Sequence, residues 1–131
     1  MDQGPAQGVR GLDRVTDPEI RKFILEKLTM INRAFSPQHV IIFGSHSRGE
    51  ARDDSDIDMV IVADSFGEVK WPDRGGLLLN TIRPDHAVDA LCYTPEEFER
   101  KRKWPGIVRS AAEEGIWLSP PSQSKADREG D

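Results

Sequence analysis

Apolar positions recur along the chain with two different periods. Between residues 17 and 34 they come at helical spacing: Ile20, Phe23, Ile24, Leu28 and Ile31 share one face. Asp17 can cap the orphan amides in front of them and Pro18 suits the first helical position, so a helix is predicted that ends near Ala34, before Ser36 and Pro37. HVIIF (residues 39–43) and DIDMVIV (residues 56–62) are short, β-branched runs that predict buried strands, the first stopped by Gly44. AVDALCY (residues 87–93) predicts a third strand. Thr94 and Glu97 then stand at capping-box spacing and open a helix through EEFERKRK. Pro105 starts another over IVRSAAEE, Gly115 ends it, and IWL (residues 116–118) adds an edge strand. Between the second and third strands, Trp71, Pro72, Gly75, Gly76 and Pro84 punctuate the pattern, leaving only a short helix over LLLNTI.

The two ends lack such patterning. Residues 1–16 are rich in glycine and polar groups without a usable period and read as a flexible arm; residues 119–131 are Pro, Ser and charge, which bury too little apolar area to order themselves. Residues 17–118 are therefore the expected domain, one core in a chain of 131 residues. A net charge of −5 argues against a broad nucleic-acid surface, which needs clustered Lys and Arg. Cys92 is the single cysteine, so no internal disulfide forms, and a reducing cytoplasm is the expected compartment. The first residues lack the apolar core of a secretory signal, and no run approaches the ~20 apolar residues of a membrane span.

Candidate chemistry concentrates in FGSHSRGEARDDSDIDMV, residues 43–60. Asp56 and Asp58 sit two apart at a strand start, so the pleat points both carboxylates to one face. Such a pair repels unless a cation lies between, and an all-oxygen donor set suits Mg²⁺, which keeps waters and substrate phosphates in its shell. Asp89 stands in an otherwise apolar strand, where an unpaired buried charge is costly, and would complete a triad if its strand neighbours residues 56–62. Gly44 ends a strand and Ser45 can begin a helix, a cradle for an anion, while Gly49 lets the chain pass close by. Arg48 and Arg52 can add charge to a bound triphosphate or solvate the surface. Asp53, Asp54 and Ser55 read as a turn. A calcium loop starting at Asp54 fails, because Met59 stands where its turn needs glycine and Ser65 where its glutamate belongs. An ATPase loop fails too, since no G-K-[ST] follows Gly44.

The order G-S-x-x-x-G, six residues, then D-x-D, matched by Gly44, Ser45, Gly49, Asp56 and Asp58, resembles the signature of the DNA polymerase beta-like nucleotidyltransferases. In its compactness the chain resembles the minimal nucleotidyltransferase (MNT) domains of antitoxin type, over about residues 18–118, and the TPEEFER segment is similar to them as well. The resemblance implies an α/β (α+β) fold with a small mixed sheet flanked by helices. It also implies two Mg²⁺ ions, and transfer of a nucleoside monophosphate, AMP from ATP, to an acceptor hydroxyl with release of pyrophosphate. Carried over, Asp56 and Asp58 would ligate both metals, Asp89 would ligate one and help deprotonate the acceptor, and Gly44 and Ser45, with Arg48 and Gly49, would hold the triphosphate. One departure is His46, where many relatives carry arginine.

Such relatives act as antitoxins on a HEPN-type ribonuclease toxin, which is the partner expected here. A binding module that neutralises by contact alone, and a small-molecule nucleotidyltransferase of aminoglycoside type, are the competing readings. His46 reads as an exposed turn residue, His39 and His86 as structural strand starts, and Cys92 as a small core residue. Trp71, Trp104 and Trp117 are expected to fill core gaps, and RKRK (residues 100–103) to solvate a helix end.

Overall fold

The computed structural model describes residue 9 and residues 11–52 and 55–118. Helix α1 (Pro18–Phe35) opens on Asp17, whose carboxylate accepts the Glu19 amide, and buries Ile20, Ile24, Leu28 and Ile31 as one stripe. It ends where Ser36 turns left-handed at φ 48° and donates its amide to the Asn32 carbonyl. Strand β1 (His39–Phe43), the four-residue helix α2 (Ser45–Arg48) and strand β2 (Ile57–Val62) follow. Then come α3 (Trp71–Ile82), β3 (Val88–Tyr93), α4 (Pro95–Lys101), α5 (Ile107–Glu114) and β4 (Ile116–Leu118).

The strands form one mixed sheet in the order β3-β2-β1-β4, with β1 antiparallel to β2 and β4, and β2 parallel to β3. The twofold period of β2 divides its residues between two apolar layers. Ile57, Met59 and Ile61 pack with Ile24, Leu28, Leu78 and Ile82 of α1 and α3, while Val60 and Val62 pack with Ile41, Phe98, Val108 and Ala111 on the side of α4 and α5. Coverage on both faces is why residues 59–62 of this strand read as an unbroken apolar run. No helix among the described residues is long and apolar enough to cross a membrane.

The capping box is present as expected: the Glu97 amide donates to Thr94 Oγ1 at 3.2 Å, and the Thr94 amide to Glu97 Oε1 at 2.9 Å. Glu97 also receives Arg74 of α3, which is 5% exposed and forks onto both carboxylate oxygens at 2.6 and 3.3 Å. Arg74 Nε donates to the Val69 carbonyl at 2.8 Å and Nη1 to that of Cys92 at 3.3 Å, so one guanidinium joins α3, β3 and α4.

Four expectations are corrected. Helix α3 is twelve residues long, not a short LLLNTI segment, because Pro72 lies in its first turn and Gly75 and Gly76 are carried inside it. Part of the expected arm is packed: Leu12 and Val15 are 1% exposed and Val9 5%, around a 3₁₀ turn at Leu12–Arg14 whose three-residue repeat escapes a search for helical or strand periods. Residues 1–8, Arg10 and the 119–131 tail lie outside the described residues. Trp104 is 69% exposed and Trp71 48%, the latter stacked on Tyr93 with ring centroids 5.0 Å apart, so neither fills the core. Arg102 is half-buried rather than solvated, its guanidinium lying over Phe98 and Trp117. Cys92 is buried as expected, and burial pushes its thiol up to about 12.

Candidate active site

Backbone pairing brings the candidate residues to one end of the sheet. Asp58 lies opposite Phe43 of β1 on one side and opposite Asp89 of β3 on the other. Directly paired residues share a face, so the turn after Phe43, Asp58 and Asp89 stand in a row across three neighbouring strands. Asp56 sits one residue before β2 and two before Asp58. Asp56 and Asp89 are exposed and Asp58 is half-buried. Burial first, then Asp89 and then Asp56 push the Asp58 carboxyl above the usual range, with His46 and Arg48 pulling it back. The like-charge arrangement anticipated from spacing is therefore present around Asp58.

The reason given for Asp89 changes. Its strand is at the sheet edge and its side chain is exposed, so it carries no burial penalty. What distinguishes it is its register opposite Asp58.

Gly44 takes φ 76° and ψ −152°, and a Cβ there would run into Asp58 Oδ2. The glycine serves both a left-handed backbone and the close approach of the turn to that carboxylate. Ser45 begins α2, and Ser47 locks the turn by donating its amide at 3.0 Å and its hydroxyl at 2.8 Å to the Gly44 carbonyl. Gly49 acts differently from expectation: a Cβ on it would meet nothing within 4 Å. It is there for its φ of 73°, which ends α2. Arg48 is exposed and paired with Glu50 at 2.9 Å, while its charge still favours the ionised form of Asp58. Asp53 and Asp54 lie outside the described residues.

His46 corrects the sequence reading most sharply. It is 5% exposed, and its Nε2 donates to the Ser55 carbonyl at 3.3 Å; His86 reaches the same oxygen at 2.9 Å. No local signal distinguishes these histidines, since their common target is brought to them by the fold.

Two cavities adjoin α2. One of about 340 Å³ opens between α2 and α5, lined among others by Phe43, Gly44, Ser47, Arg48 and Ser110. The other, about 330 Å³, lies against the start of α1 beneath His46 and His86. The first shares Gly44 and Arg48 with the candidate phosphate turn, and its volume is on the scale of small-ligand pockets, ~300 Å³ and above. The three aspartates line neither cavity. Among the described residues, no group of three or more His, Cys, Asp or Glu side chains could by itself hold a metal ion. Asp58 and Asp89, with Asp56 beside them in sequence, form an open row at this end of the sheet.

With this geometry in place, the comparisons with known proteins are consistent. The chain matches the model of the family described as nucleotidyltransferase domain over residues 18–125, and it belongs to that family. Among solved structures it is similar to "a putative nucleotidyltransferase from Sulfolobus solfataricus", with a TM-score of 0.50 and 27% identity over 76% of this chain and 82% of that one. A weaker likeness, TM-score 0.42 and 20% identity over 64% of this chain and 94% of that one, is to BolA1 from Arabidopsis thaliana. No curated protein matches the chain. The mixed sheet flanked by helices is the nucleotidyltransferase fold, and the activity at the general level is nucleotidyl transfer.

Proposed function

We propose that the protein transfers a nucleoside monophosphate, AMP from ATP, to a hydroxyl on a partner protein of HEPN type, as the antitoxin of a toxin and antitoxin pair. The observation that carries the transfer reading is the pairing of Asp58 with Asp89 beside a glycine turn that lies against the Asp58 carboxylate. Repelling carboxylates of this kind fit hard divalent cations; Mg²⁺ keeps several waters and substrate phosphates in its shell, so an open row with no closed cage is compatible with it. Asp56, Asp58 and Asp89 would hold two such ions, which supply charge neutralisation at the phosphates.

The chain's own residues do the rest. The α2 turn at Gly44 and Ser45, with Arg48 and Gly49 at its far end, receives the triphosphate, and the cavity beside α5 takes the nucleoside. The acceptor oxygen attacks the α-phosphorus, the bond to pyrophosphate breaks, and the hydroxyl proton passes to the exposed Asp89 carboxylate. A partner is favoured because Trp104 and Ile107, 69% and 58% exposed, present apolar surface at the α4–α5 junction.

The test is incubation with labelled ATP, Mg²⁺ and a small helical protein encoded beside this one. Label on the partner, lost with Asp56→Ala/Asp58→Ala, is the expected result; no label, or equal labelling by that variant, overturns it. The same exposed junction favours a second reading, neutralisation by contact alone, which holds if the double variant still protects cells from the partner.

A further inference from the structure

Two histidines without a role in the transfer chemistry meet at one atom. The Nε2 of His46 and of His86 lie 3.3 and 2.9 Å from the Ser55 carbonyl oxygen. A carbonyl only accepts, so both rings carry hydrogen on Nε2 and both donate. Their ring centroids are 6.2 Å apart at 74°, and His86 also packs against Phe23 of α1 at 5.9 Å. His46 is buried in α2, directly after Ser45. His86 stands two residues before β3, whose second residue is Asp89. Ser55 immediately precedes Asp56. One oxygen therefore joins the three segments that carry Gly44 and Ser45, Asp56 and Asp58, and Asp89.

We propose that His46 and His86 are positioning residues, a two-histidine clamp on the Ser55 carbonyl that sets the distance between the phosphate turn and the carboxylate row. The inference rests on the nucleotidyl-transfer reading of that row. Its physical basis is repulsion: Asp56 lies outside the β2 ladder, is exposed, and is a like charge to Asp58. Left to the loop, it would swing away. The Ile57 amide, donating to the Ala87 carbonyl at 2.9 Å, already joins β2 to β3. The His46 bond adds the tie from α2, and the His86 bond ties the segment before β3 to the other side of Asp56. Neither histidine needs to touch substrate to act.

Three variants separate donation from ring packing: His46→Phe/His86→Phe keeps the rings without the donors, His46→Gln/His86→Gln keeps donors at comparable reach, and His46→Gln alone guards against misfolding of the doubles. The first readout is the Ser55 carbonyl ¹³C shift in the ligand-free protein, with Asp56 amide exchange beside it. The second is calorimetric binding of Mn²⁺ with a non-hydrolysable ATP analogue. The Phe pair is expected to shift the carbonyl signal, speed Asp56 exchange and weaken metal–nucleotide binding about tenfold, the scale of two lost neutral hydrogen bonds. The Gln variants are expected to restore both. An unchanged Ser55 signal in the Phe pair overturns the clamp, as does a Gln pair that behaves like the Phe pair. If the wild-type protein binds no metal–nucleotide at all, the transfer reading fails, while the ligand-free Ser55 and Asp56 signals still decide whether the clamp exists.

Discussion

Strand β3 meets charge at both ends, in opposite ways. Just past its C-terminal end, Arg74 is 5% exposed, yet its guanidinium is matched by both oxygens of Glu97 and by the carbonyls of Val69 and Cys92. Near its N-terminal end, Asp89 stands opposite Asp58, with Asp56 nearby and the Asp58 carboxyl pushed up by its surroundings. The first arrangement is closed, because every charge has a partner within the chain. The second is open, because like charges are held together and their balance must come from a ligand. A closed charge holds the fold; an open one is where binding energy can be used.

The largest effect should come from the open end. Asp56→Ala/Asp58→Ala is expected to lower the rate of label transfer about 10³-fold or more, the scale on which removing a group that acts on developing charge slows an enzyme. Asp58→Asn should lower transfer as well, yet raise the thermal midpoint of the metal-free protein, because it removes a carboxylate that burial and two neighbours disfavour. A fall in that midpoint would remove the contrast between the two ends.

At the closed end, Arg74→Met strands Glu97 and should lower unfolding free energy by about 2–3 kcal/mol, below the ~3–5 kcal/mol of a fully buried pair because the Glu97 side chain is 28% exposed and can rehydrate. Denaturant titration measures it. Gly44→Ala lies between the two ends in kind, since the new methyl needs a strained backbone and meets the Asp58 carboxylate. It should cost about 1–3 kcal/mol and weaken nucleotide binding together, and full binding at wild-type stability would show that the turn is not set by that carboxylate.

The two carboxylates should also answer pH with opposite signs. Glu97 is held below its ordinary 4.5, by the Arg74 hydrogen bond above all. Its stabilisation is present above 4.5 and is lost as pH falls through the lower folded value, a loss that Arg74→Met should flatten. Asp58 is raised above its ordinary 3.8, so its penalty is absent below 3.8 and fully present once pH exceeds the folded value. The gain in Asp58→Asn should therefore grow as pH rises from 3.8, and a pH-independent difference would contradict the like-charge account. The smallest effect is expected for Trp104→Ser: at 69% exposure it should change stability by no more than ~0.5 kcal/mol, whatever it does to a partner.

Much of this contrast had local signals. The capping box at Thr94 and Glu97, the Asp17 and Pro18 start of α1, and the glycine-serine turn before α2 are each specified by residues within one turn of one another. The buried Arg74 had none, because its partners at Val69, Cys92 and Glu97 lie on separate elements. Helix α3 was foreshortened because Pro72 and a glycine pair look like breakers until their place in the helix is known. His46 reads as exposed for the same kind of reason: it is covered from the loop before β2 and by His86, not by its neighbours in sequence.

By itself the sequence determined most of the periods and caps, and so α1, α4, α5 and the strands, since these follow from backbone geometry over a few residues. Only the tertiary structure decided that β3 lies parallel to β2 in the register that sets Asp89 opposite Asp58, that it lies at the edge and leaves Asp89 exposed, and that two distant histidines share one carbonyl. Register and sheet order arise from how whole faces pack, and many local patterns are compatible with more than one such packing.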